Sequence, residues 1–162
     1  MTQEEFLELI NTHQGTIHHL LHIYTEDASE KDDLKQEVIL QAWKSKDRFQ
    51  QQSSFNTWLY KVTLHTILTA NRKRAKVKTV EIQEAAAVRQ AAEADSDQVE
   101  RLYRAIAALD DLSKTIVTMH LDGFTNPEIA DFMGMTTNNL NVKLHRIREK
   151  IANHLKRSTN GH

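Results

Sequence analysis

Gly123-Phe124-Thr125-Asn126-Pro127-Glu128-Ile129-Ala130-Asp131-Phe132-Met133-Gly134-Met135-Thr136-Thr137-Asn138-Asn139-Leu140-Asn141-Val142-Lys143-Leu144-His145-Arg146 decides the fold. Thr125 and Glu128 have the spacing of a capping box, with Pro127 in the first turn, so a helix starts there and carries Ile129, Ala130, Phe132 and Met133 to Gly134. After a tight turn, Thr136 caps a second helix on which Leu140, Leu144, Ile147, Ile151 and Leu155 form one apolar stripe. Two helices joined this way make a helix-turn-helix. Off the stripe lie Thr137, Asn138, Asn139, Asn141, Lys143 and Arg146. An asparagine amide can bond adenine N6 and N7 together, Lys143 and Arg146 can reach guanine or phosphate, and the free N–H groups of the helix start can hold a phosphate. Val142 points away from the stripe, an apolar group where solvent is expected and a natural neighbour for a thymine methyl. Spacing alone also suits a plain helical hairpin with a polar surface; the basic residues favour duplex DNA.

The rest of the chain agrees with an all-α fold. One proline and four glycines in 162 residues, with abundant Ala, Leu, Glu, Gln, Lys and Arg, favour helix throughout. There is no cysteine, so disulfides, thiol nucleophiles and thiolate metal sites are excluded. No stretch has the length of an apolar membrane span, and the start, Met1-Thr2-Gln3-Glu4-Glu5, is acidic where a secretory signal would be basic; a cytoplasmic protein without membrane insertion is expected. Formal net charge is −1, which at first argues against a nucleic-acid partner. The average conceals two basic islands, Lys61, Arg72, Lys73, Arg74, Lys76, Lys78 and then Lys143, Arg146, Arg148, Lys150, Lys156, Arg157, separated by acidic segments. Such segregation implies different faces for different partners.

Along the chain, Thr2 and Glu5 read as a capping box for a first helix bearing Phe6, Leu9, Ile10, Ile17, Leu20, Leu21 and Tyr24, with a bend expected at Gly15. Ser29 opens a second helix with Leu34, Val38, Ala42 and Trp43 inward. The polar residues 47–54 read as a loop, and Ser54 caps a third helix carrying Phe55, Leu59, Val62, Leu64, Ile67 and Leu68. Residues 79–96 hold almost no large apolar side chain and read as a flexible linker. Asp97 and Glu100 then open a helix with Val99, Leu102, Tyr103, Ile106 and Leu109, and Ser113 another with Ile116, Val117 and Leu121, ended by Gly123. The expectation is two small helical domains, 1–78 and 97–158, joined by the linker and followed by a tail, 159–162, with the helix-turn-helix in the second domain.

No nucleophile triad, phosphate-binding glycine loop or catalytic carboxylate pair is apparent, so no catalytic residue and no cofactor is expected. His18 and His22 are spaced i, i+4, but a metal site would need a third ligand and a HExxH-like motif a carboxylate between the histidines, and neither is apparent; no metal is expected.

The motifs together resemble a known family, the extracytoplasmic-function class of bacterial RNA polymerase sigma factors. Asp33-Leu34-Lys35-Gln36-Glu37-Val38-Ile39-Leu40-Gln41-Ala42-Trp43-Lys44 is similar to its polymerase-binding helix, and Phe55-Asn56-Thr57-Trp58-Leu59-Tyr60-Lys61-Val62 to the start of its promoter-melting helix. Ala108-Leu109 through Ser113, Gly123-Phe124-Thr125 to Ile129-Ala130, Gly134, Leu144-His145-Arg146 and Arg148 resemble the domain that reads the upstream promoter element. The chain departs from the family where Asn138-Asn139-Leu140-Asn141-Val142-Lys143 replaces the frequent Gly-Thr-Val-Lys-Ser-Arg, which implies a different base preference, and where His65 and Thr69 replace frequent Asn and Asp.

The resemblance implies an initiation factor that binds core RNA polymerase and promoter DNA and has no enzymatic activity of its own. Asp33, Gln36, Glu37 and Leu40 would face the β′ clamp helices, whereas without the resemblance a solvated helix face is the preferred reading. Arg48, Phe49, Gln50, Gln51, Gln52, Ser53, Ser54, Asn56 and Trp58 would meet the minus-ten element, with a base flipped from the non-template strand into the loop, and Arg72, Lys73 and Arg74 would contact phosphates. On their own, Phe55 and Trp58 suit either the core or a stacking platform. Thr137, Asn138, Asn139, Asn141, Val142, Lys143 and Arg146 would read the minus-thirty-five element while the same domain meets the β flap. An anti-sigma factor, membrane-bound in much of the family, is the further implied partner. Without the resemblance, a helix-turn-helix regulator that does not replace sigma, or a protein-only adaptor, also fits the helical pattern.

Overall fold

A computed structural model describes residues 1–77 and 98–160. Among these residues it holds eight α-helices and no strand: α1 (Gln3–Thr12), α2 (Gln14–Tyr24), α3 (Ala28–Ser45), α4 (Phe55–Val77), α5 (Gln98–Ala107), α6 (Asp111–Leu121), α7 (Asn126–Met133) and α8 (Thr137–Asn160). The first four form one compact unit and the last four a second. The linker expected over residues 79–96 lies outside the described residues.

In the first unit the capping box at Thr2 is present: its hydroxyl accepts the Glu5 N–H while the Glu5 carboxylate accepts the Thr2 N–H. The first expected helix is two. The break falls at His13, which closes α1 and opens α2, and Gly15 sits inside α2. The apolar pattern runs on across the break because both pieces bury into one core, through Phe6 and Ile10 from α1 and Ile17, Leu20 and Leu21 from α2. The start of α3 is also earlier than expected: Asp27 is the cap, its carboxylate accepting the Ser29 N–H. Leu34, Val38 and Ala42 are buried, whereas Trp43 is only half-buried, edge-on to Phe6 at 5.1 Å and under the Lys46 ammonium at 4.1 Å. A single 3-10 turn, Lys46–Arg48, follows. Ser54 caps α4 as expected, its hydroxyl accepting the Thr57 N–H at 3.1 Å. Leu59, Leu64 and Ile67 complete the core, and the hydroxyls of buried Thr63 and Thr66 donate back to the Leu59 and Val62 carbonyls, so neither is left unpaired.

The second unit is smaller and built around α8, whose Leu140, Leu144 and Ile147 are buried with Ile129 and Ala130 of α7, Ile116 and Met119 of α6 and Ile106 of α5. Ile151 and Leu155, expected on the same stripe, are half-buried. α6 starts directly after Asp110, not at Ser113, and Leu121, its last residue, is 54% exposed. Val99 likewise faces outward on the first turn of α5. Gly123 has φ +97° and Gly134 φ +69°, left-handed conformations that favour glycine and end α6 and α7 within one residue or two. α8 continues to Asn160, into the segment expected as tail.

Candidate functional site

On α3 the residues expected to bind a partner, Asp33, Gln36, Glu37 and Leu40, are all exposed, and Leu40 is exposed to 44%. Glu37 is also joined to its helix neighbour, accepting from the Gln41 amide at 2.8 Å. Beside Leu40 runs an apolar groove between α1 and α3, bordered by Phe6, Leu7, Ile39 and Trp43 with Gln3 and Gln36 at its rim. Leu7 and Leu40 are large apolar side chains left in solvent there, with carboxylates one turn away, so the face can take an amphipathic helix that carries basic residues.

The connection from α3 to α4 presents amides outward and rings inward. Gln50, Gln51, Gln52, Ser53 and Ser54 are exposed. Gln51 has φ +58°, a left-handed conformation that costs a side-chain-bearing residue roughly 1 kcal/mol, and the Gln52 amide donates to the side-chain oxygen of Gln50 at 3.3 Å. Beneath the amides, Phe49, Phe55 and Trp58 form a cluster: Phe49 is edge-on to Phe55 at 5.7 Å and tilted to Trp58 at 5.4 Å, and Phe55 lies 5.4 Å from Trp58. Phe55 belongs to the core. Trp58 is half-buried and also borders a cleft between α3 and α4.

That cleft brings together Arg48, Trp58 and Lys73, all expected at the minus-ten element, and adds Gln41, His65 and Thr69. Spacing holds the signal for two of these: 58, 62, 65, 69 and 73 lie on one face of a helix. Partial burial of the ring, then the charges of Arg72 and Lys61, push the His65 pKa below the ordinary histidine value. A neutral imidazole there can accept a hydrogen bond as well as donate one.

Not every expected contact residue is unengaged. Asn56 is exposed but its side-chain oxygen accepts from the Thr16 hydroxyl, which ties the start of α4 to α2. Arg72 and Lys73 are exposed, whereas Arg74 pairs with Glu30 of α3 at 3.0 Å and is half-buried. His18 and His22 border a shallow groove with Lys31, Asp32 and Lys35, and among the described residues no three His, Asp or Glu side chains are gathered to hold a metal ion.

In the second unit the capping box at Thr125 and the cap at Thr136 fix the two helices of the helix-turn-helix: the Glu128 carboxylate accepts the Thr125 N–H at 3.0 Å, and Thr136 accepts the Asn139 N–H at 3.1 Å. Thr137, Asn138, Asn139, Asn141 and Arg146 are exposed and Lys143 is half-buried. Val142 is 52% exposed, on the outer face where its spacing puts it. Asn141 has a partner the spacing does not disclose: Asn126, on the first turn of α7, donates to its side-chain oxygen at 2.9 Å. Arg148 meets His120 at 3.2 Å, and on the outer face exposed His145 pairs with Glu149 at 3.2 Å.

Comparison with known proteins gives the two units separate matches. A family model for sigma-70 region 2 matches residues 9–77, and one for sigma-70 region 4 matches residues 99–151. Over 166 aligned residues the chain is 27% identical to the ECF RNA polymerase sigma-E factor of Escherichia coli strain K12, covering 93% of this chain and 86% of the relative. Among solved structures it is similar in fold to the sigma factor RpoE bound to the anti-sigma factor NepR from Bartonella quintana, with TM-score 0.67, 19% identity and coverage of 96% of this chain and 98% of that one. It is also similar to CnrH in complex with the cytosolic domain of CnrY, with TM-score 0.64, 20% identity and coverage of 96% and 90%. No described helix is long and apolar enough to cross a membrane.

Proposed function

The chain belongs to the extracytoplasmic-function class of sigma-70 factors, non-enzymatic proteins that direct RNA polymerase to promoters, and from that premise we propose how its two units divide the work. The first unit docks on the β′ clamp helices through Asp33, Gln36, Glu37 and Leu40 and the apolar groove beside them. Its amide-rich loop, residues 48–54, captures a flipped base of the minus-ten element. The second unit holds the minus-thirty-five element with α8 and contacts the β flap.

One observation carries this division. The first unit presents amides and hydroxyls on a loop over an aromatic cluster, beside a cleft that holds Arg48 and Lys73 together with Glu37, while the second presents a doubly capped helix pair with Asn and Arg on its outer face. Loop amides above rings suit single strands, because unstacked bases offer a face to stack and an edge to bond. A fixed helix suits a duplex groove, because base edges there stand in a set pattern. A regulator that leaves sigma in place has no need of the first unit, so that alternative loses its support.

Each contact is weak alone, and the tether between the two units raises the avidity of the pair. Acting with polymerase places the protein in the cytoplasm. The relatives of like fold were solved with NepR and with the cytosolic domain of CnrY, and an anti-sigma factor is accordingly the regulatory partner proposed here. Affinity capture from unstimulated cells should recover such a protein, and recovery of polymerase alone would contradict it. The division of labour is tested by adding the purified chain to core polymerase lacking sigma and mapping transcript starts over a genomic library. Starts preceded by two shared motifs are expected; starts that share only one would refute the division.

A further inference from the structure

We propose that Asn126 is a positioning residue for Asn141, deciding which end of the Asn141 amide meets the DNA and hence which bases the chain accepts at one promoter position. The inference rests on the reading of α8 as the helix that meets the upstream duplex.

An asparagine amide has a donor end and an acceptor end of nearly equal size, and a free one offers either by turning over. Asn141 is not free. It is exposed on the outer face of α8, and its oxygen accepts a hydrogen bond from Asn126 Nδ2 at 2.9 Å. Asn126 itself is half-buried, on the first turn of α7. The Thr125 and Glu128 capping box brackets it, with Thr125 Oγ1 accepting the Glu128 N–H at 3.3 Å and donating to the Glu128 carboxylate at 2.8 Å. Pro127 stiffens the same turn. The oxygen of Asn141 is therefore turned toward α7, and its NH2 group points away from α7.

A donor presented in the major groove favours bases with an acceptor there, purine N7, guanine O6 or thymine O4, and penalises cytosine, whose edge offers only the N4 donor. The oxygen of Asn141 keeps a second lone pair, so two-point pairing with adenine stays open; what the Asn126 bond disfavours is the turned-over amide, whose oxygen alone would face the N4 donor of cytosine. The held amide thus excludes cytosine, whose edge offers no acceptor. Fixing the amide before binding also removes a rotamer that the complex would otherwise have to freeze.

Two substitutions separate the cases. Asn126→Asp can only accept, so it takes a hydrogen bond from the Asn141 NH2 and turns the oxygen outward; a carboxylate in a first helical turn also suits the helix dipole, so folding is preserved. Asn126→Ala leaves the amide unheld. The full chain on core polymerase is used to select promoters from a library randomised across the upstream element, with thermal melting of each variant as a check on folding. The native chain should reject cytosine at one position. Asn126→Ala should relax that rejection by about three- to tenfold, and Asn126→Asp should make adenine or cytosine preferred there while other positions keep their ranking. Both effects should vanish in an Asn141→Ala background. Unchanged profiles for the Asn126 variants, or an Asn126→Asp loss spread evenly over all sequences, would overturn the positioning role while Asn141→Ala still alters the profile. If Asn141→Ala alters nothing, the assignment of Asn141 to a base edge falls, and the inference falls with it.

Discussion

The two units place their exposed polar side chains on opposite kinds of support. In the first, Gln50, Gln51, Gln52 and Ser53 sit on a connection between helices, with one residue in a left-handed conformation and a cluster of three rings below. In the second, Asn138, Asn139, Asn141 and Arg146 ride on a helix whose opposite face is buried through Leu140, Leu144 and Ile147. The difference matches the proposed targets. A single-stranded base must be admitted and stacked, which asks for a surface that can adjust, whereas a duplex edge is met by groups already fixed in register.

If that contrast is right, damage to the scaffold should be felt most in the second unit. Leu140→Ala, which empties a fully buried site between α7 and α8, is expected to cost about 2–5 kcal/mol of that unit's stability, read by thermal or urea unfolding. Promoter binding upstream should be lost with it. A next and smaller effect belongs to the first unit. Trp58→Ala removes the ring that spans the aromatic cluster and the cleft, and strand capture should weaken by about 1–3 kcal/mol. Permanganate reactivity of unpaired thymines would show this, and an upstream footprint that weakened equally would blur the distinction between the units. Smaller still is the phosphate contribution. Arg72→Ala should lower the salt dependence of promoter binding by about one ion, uniformly across sequences. Arg74→Ala should lower it less, because Glu30 already holds that guanidinium at 3.0 Å.

The smallest effect is that of His65. Its pKa in the folded chain lies below the ordinary value, with burial first and the Arg72 and Lys61 charges second as causes. The unfolded chain therefore binds the proton more readily. Stability is intact above the ordinary histidine pKa of 6.5 and falls as the pH drops through it toward the folded value. His65→Gln should flatten that part of the pH profile measured by thermal unfolding; an unchanged slope would show that His65 does not set it.

Much of this architecture is legible in the amino-acid order alone. The caps at Thr2, Ser54, Thr125 and Thr136 stand where local chemistry puts them, because capping and periodicity act within a few residues. The stripes they introduce are buried in part, with Leu9, Val62, Leu68, Ile151 and Leu155 only half-buried. What the order of residues does not disclose depends on neighbours far along the chain. The break at His13 is hidden because α1 and α2 bury the same face of one core. Leu121 is left in solvent although its spacing is correct. The pairing of Arg74 with Glu30 and of Asn126 with Asn141 joins residues that no local rule connects. Polarity picks out most of the exposed residues among the expected contacts, but Leu40 and Val142 are exposed although apolar, Lys143 and Arg74 are half-buried although charged, and polarity does not tell which contacts are already engaged.

The most direct test of the division of labour is motif by motif. Transcript starts would be mapped with core polymerase carrying the native chain, a loop variant with Gln50, Gln51 and Gln52 each changed to Ala, or a helix variant combining Asn141→Ala and Arg146→Ala. The loop variant should alter the preferred minus-ten motif alone, and the helix variant the minus-thirty-five motif alone. Both variants shifting the same motif would contradict the division.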